Sequence, residues 1–217
     1  MGQVITIDGP AASGKTSVSR ELARRLGWKW ISTGAFYRGL AYVAHELDCD
    51  LQNASDLSEL AKSKKWHVEM SDENTKVFLG PKDITDQIFQ EHIGGIASKI
   101  SHFSSVREAL LIPQRSCKNK VEGLVAEGRD CGTVVFPEAR IKIYLTARQE
   151  NRAERRAKDL GLSVEETVKS QSERDQQDSS RKTAPLQIPE NAFVVDTTNL
   201  NFKQVVDLVE KHVKENL

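Results

Sequence analysis

Gly9-Pro10-Ala11-Ala12-Ser13-Gly14-Lys15-Thr16 decides the reading of the chain: it fits G-x-x-x-x-G-K-[ST] and joins two segments of different periodicity. Ahead of it, Val4-Ile5-Thr6-Ile7-Asp8 is a short β-branched run that reads as a strand. Behind it, Val18, Leu22 and Leu26 recur at helical spacing, with Arg20, Glu21, Arg24 and Arg25 on the opposite face. Strand, glycine-rich turn and helix form the context in which such a loop binds nucleotide. Backbone N–H groups of the loop and the positive end of the helix converge on phosphates, Lys15 reaches the β and γ groups, and the Thr16 hydroxyl can ligate Mg²⁺. Glycine at 9 and 14 permits backbone angles and a close approach that a Cβ would block. Gly9 to Ser17 are therefore the first candidates for ATP binding.

Outward from the loop, Phe36, Leu40, Val43 and Leu47 predict a second helix over 35–47. Further short β-rich runs, Leu124-Val125-Ala126, Ile141-Lys142-Ile143-Tyr144-Leu145 and Phe193-Val194-Val195, alternate with helical patterns and argue for a parallel sheet covered on both faces. The last helix carries Phe202, Val205, Val206, Val209 and Val213 on one stripe, expected to pack on that sheet. Between Asp50 and Gln90 the pattern changes. Trp66-His67-Val68-Glu69-Met70 and Thr75-Lys76-Val77-Phe78-Leu79 alternate around the polar turn Ser71-Asp72-Glu73-Asn74, which predicts a β-hairpin in a small appended subdomain. From Arg148 to Ala184 the chain is nearly all polar, with Ser163 and Glu166 in capping-box spacing, and reads as a helical flap that can move. Pro113 is expected to kink or end the helix that contains it.

With 217 residues the chain is long enough for one domain with insertions, and 38% hydrophobic residues suffice for a core. Lysine plus arginine and aspartate plus glutamate both total 31, so no global charge draws the chain to nucleic acid or an anionic membrane, and any phosphate site must be local. The longest apolar run, Leu40 to Ala44, is far below the ~18 residues of a membrane span. The opening MGQVITIDGP lacks the basic and apolar regions of a signal peptide. Cys49, Cys117 and Cys131 form neither a disulfide framework nor a CxxC pair, which suits a reducing cytoplasm. The five histidines show no HExxH or HxxxH spacing, so none is expected to bind metal.

Two further constellations narrow the chemistry. Ser32-Thr33-Gly34-Ala35-Phe36-Tyr37-Arg38 sets a hydroxyl, a glycine and an arginine at the start of the second helix. Glu127-Gly128-Arg129-Asp130 follows a strand on the sheet edge where the glycine-rich loop also lies. The guanine-reading pattern NKxD is only imitated by Asn119-Lys120-Val121-Glu122, and no DxxG occurs, which removes a GTPase.

With these motifs the chain resembles the bacterial cytidylate kinases, of the nucleoside-monophosphate kinase family. The likeness runs through IDGPAASGKTS from Ile7, STGAFYR from Ser32, SSVREALL from Ser104, EGRDCGTVVFP from Glu127, IYLTARQENRAERR from Ile143, and Glu173-Arg174-Asp175 followed by Ala184-Pro185-Leu186. It implies an α/β P-loop NTPase fold: a five-stranded parallel sheet flanked by helices, a monophosphate-binding insert with a small β-sheet, and a helical LID. The implied divisions are a CORE of about 1–34, 104–147 and 185–217, an insert of about 35–103 and a LID of about 148–184. The implied reaction passes the γ-phosphoryl group of ATP to CMP, and to dCMP, in pyrimidine metabolism in the cytoplasm, by a monomer that uses Mg²⁺.

The resemblance also assigns residues. Thr33, Arg107, Asp130 and Arg181 stand at the base, where Asp130 would accept from the cytosine amino group and the arginines would donate to N3 or O2. Ser98, Arg174 and Asp178 fall at the ribose hydroxyls, and Arg38 and Arg129 at the acceptor phosphate. Lys15, Arg129, Arg174 and Arg181 are the implied catalytic cations. Arg152 and Arg156 match positions that stack on adenine and reach the ATP phosphates. Thr16 would ligate Mg²⁺ directly and Glu127 through water. The chain departs from the family's habit in Thr33 for Ser, Glu127 for Asp, and Gln177 and Ser179 in a flap that usually holds more arginines. Two other readings compete: a kinase for a small-molecule hydroxyl, with Asp8 or Asp130 as base, and an ATP-switched binding protein.

Overall fold

Residues 2–71, 74–181 and 183–217 are described by a computed structural model, with the side chains of Asp159, Leu160 and Arg174 outside the description. The chain opens with β1 (Gln3–Asp8), followed by helix α1 (Lys15–Leu26), strand β2 (Lys29–Ser32) and helix α2 (Gly34–Glu46). Gly27 ends α1 in the left-handed conformation, and its N–H bonds the carbonyl of Arg24. β2 is four residues long between two helices; Trp30 and Ile31 are its whole apolar signal, too short for a periodicity reading.

Three strands complete the main sheet: β6 (Gly123–Gly128), β7 (Ile141–Thr146) and β8 (Phe193–Asp196). The order is β2-β6-β1-β7-β8, and every pairing is parallel. Both faces are covered, as a parallel sheet requires. Leu124 and Ala126 point toward α2 and the helices of the 35–120 region, while Val125, Ile5, Ile7 and Ile143 point toward α1 and the C-terminal helix α9 (Phe202–Asn216). Val205, Val206, Val209 and Val213 of α9 are buried as expected. Phe202 is not: it opens the helix and is half exposed, beyond the packed stripe. Leu47, expected on the buried face of α2, caps that helix at its C-terminal end and is 42% exposed.

The predicted hairpin is β3 (Trp66–Met70) paired antiparallel with β4 (Thr75–Leu79). Asp72 and Glu73 of its turn lie outside the described residues. A two-residue strand, β5 (Lys82–Asp83), extends it to three strands; both residues are exposed and polar, so no periodicity announces it. Around the small sheet lie α3 (Ala54–Lys62), α4 (Thr85–Ile88) and α5 (Glu91–Ile100). The Ser32 N–H donates to the buried Thr75 hydroxyl at 2.9 Å, fastening the hairpin to the end of β2.

Helix α6 (Ser104–Ser116) runs through Pro113 instead of ending there, and continues as a 3₁₀ turn, Cys117–Lys120. Proline removes one backbone donor, but the residues beyond it are held from outside the helix. Gln114 donates to the Thr33 carbonyl at 3.2 Å, and Arg115 to the carbonyls of Val134 and Val135 at 2.8 Å each. The polar stretch after β7 is a helix pair, α7 (Gln149–Leu160) and α8 (Val164–Ser180), and Ser163 accepts from the Glu166 N–H as its spacing predicts. Among the described residues no helix is long and apolar enough to cross a membrane.

Candidate active site

The parallel register brings the C-terminal ends of three strands together, with Asp8 opposite Gly128 and Ser32 opposite Glu127. The glycine-rich loop leaves β1 at this edge. Gly9 has φ 149°, and a Cβ there would lie 2.0 Å from the Leu145 carbonyl oxygen, so the loop can pass β7 only as glycine. Ala12 and Gly14 also have positive φ, which turns the loop over the start of α1. Lys15 is buried and folds back over the loop, donating to the Pro10 carbonyl at 2.6 Å and the Ser13 hydroxyl at 3.4 Å. Burial, then the nearby Arg129 charge, pushes its ammonium down to about 7.

Strand β6 delivers the next residues. Glu127 is buried and accepts a hydrogen bond from the Thr16 hydroxyl at 3.3 Å. A hydroxyl and a carboxylate side by side are hard oxygen donors that suit Mg²⁺ with its remaining waters, so this pair fits the metal that the resemblance implies. Among the described residues no cluster of three or more His, Cys, Asp or Glu could hold a metal unaided. Arg129 donates to Asp178 of α8 at 2.7 Å and to the Gly9 carbonyl at 3.1 Å. Burial pushes the Asp178 carboxyl up, but Arg129 and Arg181 outweigh it and hold the group below its ordinary range.

Asp130 and Arg107 form a buried pair, and Arg107 also donates to the Ser101 carbonyl at 3.3 Å. Burial pushes the Asp130 carboxyl up, against the pull of Arg107 and Arg181. Arg181 donates to the Ser101 hydroxyl and the Asp178 carbonyl, each at 3.3 Å. Its Nη2 is 3.5 Å from Asp178 Oδ1, within ion-pair range but not aligned as a hydrogen bond, which leaves N–H capacity inside the cleft.

Lys15, Thr16, Arg107, Glu127, Arg129, Asp130, Asp178 and Arg181 line one cavity of about 280 Å³, shared with Thr33, Arg38, Ser98 and Arg156. Thr33 donates to the Glu127 carbonyl at 3.0 Å. Arg38 donates to the Ile88 carbonyl at 2.9 Å, and Gly94 lies beneath its guanidinium, where a Cβ would come within 2.8 Å. Ser98 donates to Gln177 Oε1 at 2.8 Å, so the glutamine in the flap meets a residue of α5 directly. Arg156 pairs with Glu91 at 2.8 Å.

Arg152 stands apart from the cavity lining. It is buried, and donates to the Ala11 carbonyl at 3.0 Å, the Ala147 carbonyl at 3.2 Å and Asp175 at 2.5 Å. The Ala11 N–H of the glycine-rich loop donates to the same Asp175 at 3.2 Å. The flap helix thus rests on the loop through Asp175 and on Arg129 through Asp178, contacts that the residue spacing did not announce. Ser17 is exposed on α1, and the Arg174 side chain lies outside the described residues.

Asp8 cannot serve as a base for a substrate hydroxyl. It is fully buried, and its two oxygens accept from the Cys131 N–H at 2.8 Å and the Gly132 N–H at 2.7 Å. Burial pushes its carboxyl up to about 7, with these two bonds pulling the other way.

Comparison with known proteins agrees with this geometry. The family model described as cytidylate kinase matches residues 5–215. A Bdellovibrio bacteriovorus protein named cytidylate kinase is 61% identical over 217 residues, covering 100% of both chains. An Aeromonas salmonicida protein of the same name is 40% identical over 222 residues, covering 100% of this chain and 96% of that one. Among solved structures, a gluconokinase from Sinorhizobium meliloti superposes with a TM-score of 0.52 at 14% identity, covering 99% of this chain and 94% of its own. An uncharacterized protein from Eubacterium ventriosum gives 0.54 at 12%, covering 99% of each chain. These two distant likenesses establish the fold alone. The family match across nearly the whole chain and its full-length relatives establish more: this chain belongs to the cytidylate kinase family.

Proposed function

We propose that the chain transfers the γ-phosphoryl group of ATP to CMP, and to dCMP, giving ADP and CDP or dCDP. The observation that carries this reading is the buried Asp130–Arg107 pair in the same cavity as Lys15, Arg38 and Arg129. A carboxylate beside a guanidinium complements the edge of cytosine, whose amino group donates and whose N3 and O2 accept. Uracil would set an acceptor against Asp130 and leave a buried group unpaired, a mismatch of ~1–3 kcal/mol or more.

No general base is needed. A nucleoside monophosphate has a second pKa of ~6 and is mostly a dianion at pH 7, so its oxygen attacks without losing a proton. The chain's task is then alignment and neutralisation of charge. Arg38 and Arg129 hold the acceptor phosphate, while Lys15 and the loop N–H groups hold the donor phosphates, with Arg152 and Arg156 on the ATP side. Ser98, Arg174 and Asp178 address the ribose, Thr33 and Arg181 the base, and Arg174 and Arg181 add positive charge to the transferring group. Thr16 directly, and Glu127 through water, would hold Mg²⁺, which when bound neutralises β- and γ-phosphate charge.

We read 35–103 as the monophosphate-binding insert and 148–184 as a LID on a CORE formed by the rest, acting as a monomer in the cytoplasm. Asp175 and Asp178 of α8 now hold the Ala11 N–H and Arg129, groups that phosphates would engage. Nucleotide entry on this reading exchanges carboxylate for phosphate. A coupled assay of ADP release with ATP and Mg²⁺ tests the function: CMP and dCMP should support turnover and UMP much less, whereas equal release with CMP and UMP, or release independent of any monophosphate, would reject it.

A further inference from the structure

We infer that Asp8 is a specificity-positioning residue: by capping the turn that follows Asp130, it frees the Asp130 carboxylate to face the substrate base. The inference rests on the reading that Asp130 recognises cytosine. Residues Cys131–Val135 form one π-helical turn whose N-cap is Asp130, with φ −145° and ψ 24°. The Val134 and Val135 N–H groups bond back to the Asp130 carbonyl at 2.9 and 3.1 Å, and the Phe136 N–H to the Cys131 carbonyl at 2.7 Å. The first N–H groups of any helical turn have no acceptor within it. An aspartate at the N-cap ordinarily takes them on its own side chain.

Asp130 does not. Its side chain makes no capping bond and instead pairs with Arg107 in the cavity. The orphan N–H groups of Cys131 and Gly132 go to Asp8 at the end of β1, one to each carboxylate oxygen. Gly132 makes this approach possible, since a Cβ there would lie 2.8 Å from Thr6 Oγ1 and 3.2 Å from Asp8 Oδ2. Asp8 is itself excluded from solvent, so it can meet neither base nor phosphate and acts only through the backbone it holds. Without its carboxylate, the Cys131 and Gly132 N–H groups lose their acceptors and are left to the side chain of the capping aspartate, as at an ordinary N-cap, and Asp130 would turn away from Arg107 and the base.

Asp8→Asn keeps the shape but can accept from only one of the two N–H groups, because its amide nitrogen donates. Expected for this variant is a fall of about tenfold or more in kcat/KM for CMP, and a CMP-to-UMP ratio that collapses toward that of Asp130→Asn. The KM for ATP should stay within about twofold, because a positioning role at the base leaves ground-state binding of the donor alone. The Asp8→Asn/Asp130→Asn double variant should discriminate no worse than Asp130→Asn, since the two residues act as one unit. A wild-type CMP-to-UMP ratio in folded Asp8→Asn, equal losses for ATP and CMP, or additive losses in the double variant would overturn the inference. Should Asp8→Asn not fold, amide exchange in the unsubstituted chain decides: slow exchange at Cys131 and Gly132 without nucleotide supports the cap, and exchange at the open-loop rate refutes it. An unsubstituted enzyme with no preference for CMP over UMP would sink the reading of Asp130 and this inference with it, whereas a preference that survives Asp8→Asn sinks this inference alone.

Discussion

Arg25 on the outer face of α1 gathers Glu21, Asp207 and Glu210, tying α1 to α9 with contacts of 2.7–2.9 Å. Across the sheet, Arg107, Arg129 and Arg181 gather Asp130 and Asp178 within the cleft. The residue types are alike and the environments differ, most of all at Arg107 and Asp130, whose side chains are almost wholly withdrawn from water. Around Arg25 water competes for every charge, so the cluster adds little to stability. In the cleft the Arg107–Asp130 pair has lost its water, while Arg129 keeps an exposed edge beside Asp178, and the cost of that burial is recovered only while the partners stay together or a ligand replaces one of them. A chain selected for stability alone gains little from the second arrangement, so its presence at the end of β6 marks the working side of the sheet.

Lys15→Ala should break the comparison most visibly. Removing the buried cation that the proposed mechanism sets at the donor phosphates is expected to lower kcat/KM by about 10²–10³-fold or more, with the circular dichroism spectrum and Tm little changed. Turnover near that of the unsubstituted chain would take Lys15 out of the mechanism. Next in size, Asp130→Asn should cut the preference for CMP over UMP by at least about tenfold, read as the ratio of the two kcat/KM values. An unchanged ratio would mean that the base edge is read elsewhere.

Hydrogen exchange sharpens the contrast on another scale. Helices α7 and α8 contribute few large apolar side chains and meet the core mainly through Asp175, Asp178, Arg152 and Arg155. Their amides should exchange faster than those of α1 and β1 without nucleotide, and slow when ATP and CMP are joined in one bisubstrate molecule. Equal protection in both states would argue against closure of the flap.

The smallest effect belongs to the outer cluster: Arg25→Ala should leave kcat/KM for CMP unchanged and lower Tm slightly at low salt, the difference fading at ~1 M salt, where charges are screened within ~3 Å. Glu21 supplies its pH signature. Hydrogen bonds from Arg24 and Arg25 hold its carboxyl down to about 2, against an ordinary 4.5. Its pairing therefore stabilises the fold fully above about 4.5 and is lost as the pH falls toward about 2. The Tm decline across that window should be shallower in Arg25→Ala than in the unsubstituted chain.

Much of this was legible in the sequence, for reasons that differ by element. The nucleotide loop announced itself because phosphate binding constrains backbone and side chain together, and β1, β6, β7 and β8 because each leaves a short contiguous apolar run. β2 escaped notice, being four residues hemmed by two helices, and β5 because two exposed polar residues carry no pattern. Helix α6 passed Pro113 because Gln114 and Arg115 are anchored by carbonyls far away in the chain, information no local window holds. The candidate cleft residues were found through motifs whose convergence depends on the register of β1, β2 and β6. Asp8, a base only in the competing reading of a kinase for a small-molecule hydroxyl, is closed off by the fold. Its exposure and partners are set by the turn 123 residues later, and only the fold brings the two together.

In the proposed mechanism two nucleotides lie end to end in one cleft. Calorimetry with cytidine and adenosine joined through five phosphates tests it most directly. The account predicts binding at least about 10²-fold tighter than that of CMP or ATP alone, weakened by Lys15→Ala and by Arg38→Ala, and weaker again when uridine replaces cytidine. Affinity no greater than that of ATP alone, or indifference to the change of base, would contradict it.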